Sequence, residues 1–206
     1  MPQATPDKTY TYLALGDSYT IGEKVPPTEN FPNRVVTLLN NRGYNFQPPQ
    51  IVAKTGWTTG ELQGAIKNAR LAKHYDFVSL LIGVNNQYRE LPIGGYSSEL
   101  QQLLLQAIHF AGNDPSHVIV LSIPDWSVTP FAEGRDRNAI SGEIAEYNMV
   151  NRRISTTMNV QYIDITPGTI AHGSVPGMLA EDGLHPSGKE YEIWASHVVH
   201  FIIQAL

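Results

Sequence analysis

The sequence predicts an α/β fold in which helices cover both faces of a parallel β-sheet. Apolar runs of strand length alternate five times with segments whose apolar residues recur at helical spacing, and parallel neighbours require such helical crossovers. The 206 residues are 42% hydrophobic and 16% charged, which is typical of a folded chain and too apolar for a disordered one. One domain spanning residues 1–206 accommodates this length.

The predicted strands are short apolar runs, each followed by a turn or a loop. They cover residues 10–15, 51–53, 77–82, 117–122 and 161–165. The third run is almost uninterrupted, which is expected of a central strand that is buried on both faces of a parallel sheet. Residues 1–9 are polar and marked by prolines, and they predict a loose lead-in to the first strand.

Five helices are predicted from the three- and four-residue spacing of apolar side chains. They cover residues 31–43, 62–69, 99–111, 141–158 and 187–206. Glu190 follows Ser187 by three residues, which predicts a capping box at the start of the last helix. The segments 124–138 and 166–184 are predicted to be long loops, and loops of this length are usually functional or mobile.

The first strand ends in Gly16-Asp17-Ser18, where the absence of a Cβ at Gly16 permits a sharp turn. This turn places the Ser18 hydroxyl at the carboxyl end of a strand, where open parallel sheets bind ligands. A serine nucleophile needs a base within hydrogen-bond reach and a third group that orients the base. Asp182 and His185 have the residue types for both roles. Considered separately, Ser18 also fits a turn or N-cap serine, and His185 also fits a surface histidine that caps the last helix.

Four motifs in this order resemble the GDSL family of esterases and lipases, also called SGNH hydrolases. The motifs are Gly16-Asp17-Ser18, Gly56 in Thr55-Gly56-Trp57, Gly83-Val84-Asn85-Asn86, and Asp182-Gly183-Leu184-His185. The resemblance covers nearly the whole chain. It implies a three-layer α/β/α sandwich with a flavodoxin-like, five-stranded parallel sheet in the order 2-1-3-4-5. Because the motifs follow strands, we expect them to meet at one rim of the sheet.

The resemblance also implies roles for individual residues. Ser18 is the expected nucleophile, His185 the base that takes its proton, and Asp182 the group that orients the imidazole. The expected oxyanion donors are the backbone N–H groups of Ser18 and Gly56 and the side-chain amide of Asn85. Asn86 departs from the common family pattern G-x-N-D, and the lost charge bears on how firmly Asn85 is held.

The sequence therefore predicts a serine esterase that hydrolyses carboxylic esters through an acyl-enzyme on Ser18, without a metal or another cofactor. An acyltransferase that uses the same acyl-enzyme and a non-catalytic ligand-binding relative are the alternatives. The acyl group is left open among short chains, sugar acetyls, lysolipids and thioesters. Candidates to line the substrate pocket are Trp57, Tyr88, Trp126, Met178 and Leu184. Asp17 is expected to be structural.

Composition excludes several other classes. The formal net charge is −5 and no run of Lys or Arg occurs, so a nucleic-acid partner is not expected. The chain has no cysteine, which excludes disulfides and thiolate chemistry, and no segment approaches the ~18 apolar residues of a membrane span. A cytoplasmic location is the default expectation because no signal peptide is visible, although a removed leader would leave no trace. Oligomeric state is not readable.

Overall fold

A computed structural model describes residues 8–206 of the chain, so most of the lead-in predicted for residues 1–9 lies outside the described residues. The described part contains seven strands: β1 (Thr9–Tyr10), β2 (Tyr12–Gly16), β3 (Asn45–Phe46), β4 (Gln50–Ala53), β5 (Phe77–Leu81), β6 (Val118–Leu121) and β7 (Gln161–Ile163). Five of them form a parallel sheet in the order β4-β2-β5-β6-β7. Numbered along the chain within this sheet, the order is 2-1-3-4-5, which confirms the predicted topology.

The predicted first strand is divided between two sheets. Tyr10 belongs to β1, which pairs in parallel with β3, whereas the chain enters the main sheet only at Tyr12. Between them, the backbone N–H and the hydroxyl of Thr11 both donate to the Asp76 carboxylate, at 2.8 Å each. Because a side chain takes this N–H, the strand is interrupted at Thr11.

The helices pack in two groups that flank the sheet. In chain order the described residues form α1 (Ser18–Ile21), α2 (Phe31–Asn40), α3 (Thr59–Asn68), α4 (Val84–Tyr88), α5 (Ile93–Phe110), α6 (Arg137–Thr157), α7 (Thr166–His172) and α8 (Gly188–Ala205). Helix α2 packs against α8, and α5 packs between α3 and α6. The central strands β2 and β5 are completely buried. This arrangement confirms the predicted three-layer sandwich.

Several helix boundaries differ from the predicted ones. Helix α7, which has Pro167 in its first turn, lies in the segment 166–184 that was predicted to be a loop. Proline is tolerated in the first turn of a helix, where its missing N–H has no intrahelical partner. Helix α5 likewise begins at Ile93, before its paired glycines, and α6 begins four residues earlier than predicted, behind the N-cap Asp136. The short helix α4 was not predicted.

The capping box predicted for the last helix is wrong. The Ser187 hydroxyl donates to the Gly177 carbonyl at 2.8 Å and caps nothing in α8. The buried Glu190 carboxylate instead binds His172 Nδ1 at 2.6 Å and accepts from Trp194 Nε1 at 2.9 Å. Glu190 therefore bonds to His172 and Trp194 and not to the backbone at the start of its own helix. A complete capping box occurs at the start of α3. Of the helices between residues 8 and 206, none has the length and apolar character needed to cross a bilayer.

Candidate active site

Ser18 is held at the carboxyl edge of the sheet by the turn that ends β2. Asp17 is the N-cap of α1, and its Oδ1 accepts from the Tyr19 N–H at 3.0 Å, which makes Ser18 the first residue of this helix. A Cβ at Gly16 would lie 2.4 Å from the Leu81 carbonyl oxygen, so glycine is required there for space. The result is a serine hydroxyl at the rim of the sheet on a residue that is only 5% exposed.

The structure brings Ser18, His185 and Asp182 into one hydrogen-bonded chain. His185 Nε2 lies 3.0 Å from Ser18 Oγ, and His185 Nδ1 lies 2.6 Å from Asp182 Oδ2. An ionised carboxylate only accepts hydrogen bonds, so Nδ1 carries the ring proton towards Asp182. The Nε2 lone pair of a neutral imidazole then faces the serine hydroxyl. This geometry suits the removal of a proton from Ser18.

Asp182 is fixed by the loop that it helps to fold. Its Oδ1 accepts from the backbone N–H groups of Leu184 and His185, both at 3.0 Å. Partial burial acts to raise the pKa of Asp182, but the hydrogen bonds from His185 and Leu184 outweigh it and hold the pKa below its usual value. A charged acceptor is therefore present beside the imidazole at neutral pH.

Gly56 lies in the loop after β4 and lines the same pocket as Ser18. Its φ of +81° belongs to the left-handed region, which glycine adopts without a steric penalty. A Cβ built at Gly56 would meet only Arg89 Nη2, at 3.5 Å, so conformation and not space accounts for the glycine. The Gly56 carbonyl accepts from the Arg89 guanidinium, which ties this loop to the end of α4.

Asn85 lies in the first turn of α4 and also lines this pocket. Its amide nitrogen donates to the Trp57 carbonyl at 3.0 Å and lies 3.5 Å from Asp17 Oδ2. The three positions predicted to form an oxyanion hole therefore meet at one pocket. The amide of Asn85 is oriented by a contact to the Gly56 loop.

Asn86 adds two further hydrogen bonds between these two segments. The side chain is buried, its Nδ2 donates to Thr59 Oγ1 at 2.7 Å, and its Oδ1 accepts from the Thr59 N–H at 3.0 Å. An aspartate could not make the first of these bonds in the same direction. The departure from the family pattern is therefore accommodated by a specific partner.

An aromatic wall completes the pocket, which has a volume of about 180 Å³. Tyr88, Trp126 and Leu184 line it, as predicted candidates, together with Phe131. Trp57 does not line it, although its carbonyl orients Asn85. The predicted Met178 lines a neighbouring cleft that shares Trp126 and Leu184 with the first pocket. The aromatic residues of the loop after β6 were the only sequence signal for Phe131.

Arg135 also contacts the aromatic wall, although it belongs to none of the four sequence motifs. Its guanidinium carbon lies 5.2 to 5.4 Å from the ring centroids of Tyr88, Trp126 and Phe131. It also donates to the Tyr88 hydroxyl at 3.2 Å. In a cation–π contact, the positive charge is attracted electrostatically to the aromatic ring. Arg135 therefore contacts all three aromatic side chains at once.

Asp17 is the most strongly perturbed carboxyl group near the site. It is fully buried, and burial raises its pKa to about 7, against the opposing effect of the Tyr19 N–H that it accepts. Its second oxygen faces the Asn85 amide. Asp17 therefore lies between Ser18 and a predicted oxyanion donor. Within residues 8–206, no group of three or more His, Asp or Glu residues is arranged to hold a metal ion.

Comparison with known proteins gives the family. The model of the GDSL-like Lipase/Acylhydrolase family matches residues 14–193, which is most of the chain. The chain belongs to this family. Among curated protein sequences, none matches this GDSL-like chain.

Solved structures share the fold of this GDSL-like protein. A lipase/acylhydrolase from Enterococcus faecalis is 21% identical, covers 96% of this chain and 97% of its own, and has a TM-score of 0.74. Axe2, an acetylxylan esterase from Geobacillus stearothermophilus, is 21% identical over 94% of both chains, with a TM-score of 0.72. TesA is 17% identical over 97% of this chain and 100% of its own, with a TM-score of 0.74.

Proposed function

We propose that this GDSL-like protein is a serine hydrolase that cleaves carboxylic esters through an acyl-enzyme on Ser18. The observation that carries the proposal is the 3.0 Å contact between Ser18 Oγ and His185 Nε2, with Asp182 bound to the opposite ring nitrogen. A serine alone is a weak nucleophile, and this arrangement supplies both the base and its orienting group. The family assignment supports esterase or acylhydrolase chemistry.

In the proposed acylation step, Ser18 Oγ attacks the carbonyl carbon of the ester while its proton passes to His185 Nε2. The carbonyl π electrons move to oxygen and give a tetrahedral intermediate. When this collapses, the bond between the carbonyl carbon and the alkoxy oxygen breaks, and the leaving alcohol takes the proton from the imidazolium. Asp182 stabilises the imidazolium between these transfers.

In the proposed deacylation step, water replaces the alcohol. His185 takes a proton from the water as its oxygen attacks the acyl carbon, and the second tetrahedral intermediate expels Ser18, which recovers the proton. The products are a carboxylic acid and a free enzyme. An acyltransferase would follow the same steps with an acceptor alcohol in place of water.

The developing oxyanion needs donors that are already in place before charge appears. We assign this role to the backbone N–H groups of Ser18 and Gly56 and to the Asn85 amide, which line the pocket beside His185. The Asn85 N–H that serves the oxyanion is the one not bound to Trp57, and it has only a long contact of 3.5 Å to Asp17 Oδ2. Ser18 begins α1, so its N–H has no intrahelical acceptor. The substrate's acyl or alcohol group then lies against Tyr88, Trp126 and Leu184 on the apolar side of the pocket.

The test is a panel of chromogenic esters of different acyl lengths, beside acetylated sugars, with the wild type, Ser18→Ala and a matched Ser98→Ala. Ser98 lies exposed on α5, where its hydroxyl donates within its own helix. We expect Ser18→Ala to lower kcat by about 10⁴-fold or more on any ester that the wild type cleaves, and Ser98→Ala to leave it unchanged.

Turnover in Ser18→Ala at the wild-type rate would contradict the nucleophile assignment. Failure of the folded wild type on every ester would favour the non-catalytic relative. An acceptor alcohol added to the same assays separates the two enzyme classes. A transferase would give the transferred ester as its main product, whereas a hydrolase gives the free acid.

A further inference from the structure

The loop that carries Gly56 and the helix that carries Asn85 are joined by several hydrogen bonds. Asn85 donates to the Trp57 carbonyl, Arg89 donates to the Gly56 carbonyl, and Asn86 bonds twice to Thr59. Each of these bonds links residues 56–59 to residues 85–89. The position of the Gly56 N–H relative to the Asn85 amide, two of the three proposed oxyanion donors, therefore depends on contacts between segments and not on either segment alone.

Thr59 has a second partner, Glu99, on another helix. Its hydroxyl donates to Glu99 Oε2 in α5, while it accepts from Asn86 Nδ2 at 2.7 Å. Thr59 is fully buried, so water cannot replace either partner. A hydroxyl carries a single proton. The direction of these two hydrogen bonds is consequently fixed. The Asn86 amide donates to the Thr59 hydroxyl, and the hydroxyl donates to the Glu99 carboxylate.

This direction makes the residues at positions 86 and 99 interdependent. An aspartate at position 86, as in the common family pattern, would need the Thr59 proton that Glu99 already takes. One carboxylate would then lose its donor, and two negative charges would face each other across one hydroxyl. If position 99 carried an amide, it would supply the missing proton, and an aspartate at 86 would be accommodated with the chain reversed.

We propose that Asn86, Thr59 and Glu99 form a positioning relay that sets the separation between the Gly56 N–H and the Asn85 amide, and that Glu99 is the reason for an amide at position 86. The inference rests on the proposed function, since these donors act only if an oxyanion forms. None of the three residues needs to touch substrate. Their effect is on kcat, because a displaced donor weakens contacts that exist only in the transition state.

The experiment compares Asn86→Asp, Glu99→Gln and the double variant on a short-chain ester, with kcat, KM and urea unfolding measured for each. Asn86→Asp should lower kcat by about 10- to 100-fold, approaching the loss of one oxyanion donor, with little change in KM. Glu99→Gln should stay near the wild type, because a glutamine oxygen still accepts from Thr59. The double variant should regain kcat and stability to within about threefold of Glu99→Gln.

Glu146→Gln in the Asn86→Asp background is the charge-matched control, because Glu146 is exposed on α6. It removes one negative charge and should not rescue kcat. If Asn86→Asp does not fold, recovery of folding by Glu99→Gln supports the relay, and failure to recover contradicts it. Thr59→Val should reproduce the kcat loss, and Thr59→Ser should restore it. A folded Thr59→Val with wild-type kcat would overturn the proposal.

The two proposals fail in different ways. Absence of any Ser18-dependent turnover contradicts the proposed function, whereas normal turnover with an unchanged kcat in Asn86→Asp contradicts only the relay. The unfolding measurements test the hydrogen-bond coupling independently of activity. A double-mutant cycle in which Asn86→Asp and Glu99→Gln are additive would overturn the relay whatever the enzyme assays show.

Discussion

Asp182 and His185 lie in one turn, where a single carboxylate binds the imidazole and two backbone N–H groups of its own loop. Gly56 lies in the loop after β4 and Asn85 in the first turn of α4, after β5, and the bonds that orient them run between these two segments. The proposed acid–base half of the site is therefore assembled locally, and only its contact to Ser18 is long-range. The proposed oxyanion half is assembled almost entirely from long-range contacts.

Because of this difference, we expect the two halves to tolerate different substitutions. A local turn keeps its geometry when distant packing changes. The activity that depends on the acid–base half should therefore respond mainly to replacement of Asp182, His185 or Ser18. Donors held by contacts between segments should respond to substitutions in residues that never meet the substrate, such as Thr59. Variants of both kinds measure how far the two halves differ.

The largest effect is expected from His185→Ala, which removes the base of the local half. The fall in kcat should be about 10⁴- to 10⁶-fold, and Ser18→Ala added to it should cost almost nothing more, because these residues act as a unit. His197→Ala is the control, since His197 is exposed on α8. Steady-state kinetics on a soluble ester measure all three variants. Losses that multiply in the double variant would show that the residues do not act together.

A smaller effect is expected from Asn85→Ala in the oxyanion half. The loss of one donor should lower kcat by roughly 10²- to 10³-fold with little change in KM. The bond to the Trp57 carbonyl is lost too, so the free energy of unfolding should fall by about 0.5–1.5 kcal/mol. Kinetics and urea unfolding on one preparation measure both. An unchanged kcat would remove Asn85 from the oxyanion hole and leave the Ser18 and Gly56 donors.

The same difference decides what could be predicted from the sequence. The parallel sheet was predicted because buried strands are continuous apolar runs, and the acid–base motif was visible because its members are three residues apart. Gly56 and Asn85 were found only through the family resemblance, since glycines in turns and asparagines in loops are common in proteins of every function. The fold class and the Asp182–His185 motif were therefore accessible to pattern and spacing, whereas the strand order 2-1-3-4-5 came from the family resemblance.

The supporting contacts were not accessible in this way. No spacing relates Thr59 to Asn86 or to Glu99, because α3, α4 and α5 meet only in the folded chain. Glu190 shows the opposite error, since its position predicted a local cap and its partners His172 and Trp194 came from the tertiary structure. A buried polar side chain must form hydrogen bonds with whichever groups lie beside it in the folded protein. Those neighbours are determined by the whole fold and not by the local sequence.

Asp17 lies at the junction of the two halves, because it caps the helix that begins at Ser18 and faces the Asn85 amide. Burial raises the pKa of this carboxyl to about 7. Between the ordinary value of 3.8 and about 7 the folded protein therefore retains a proton that the unfolded chain releases. The stability that Asp17 contributes is present at low pH and is lost as the pH rises through this window.

The smallest effect on kcat is expected from Asp17→Asn, because an asparagine oxygen still accepts from the Tyr19 N–H. The fall in kcat should stay below the roughly 10²-fold cost of losing one oxyanion donor. Its main effect should be on stability. Relative to this variant, the wild type should lose stability from pH 4 to pH 7, by at most about 1.4 kcal/mol per pH unit. Urea unfolding at several pH values measures the difference.

Asp114→Asn is the control, because its stability should depend on pH in the opposite direction. Hydrogen bonds from Ser116 lower the pKa of Asp114, so the stability that Asp114 contributes is lost only below that window. A difference between wild type and Asp17→Asn that is constant from pH 4 to pH 8 would mean that Asp17 is ionised throughout. The Asn85 amide would then face a permanent charge, which would couple the two halves of the site more strongly than a neutral carboxyl does.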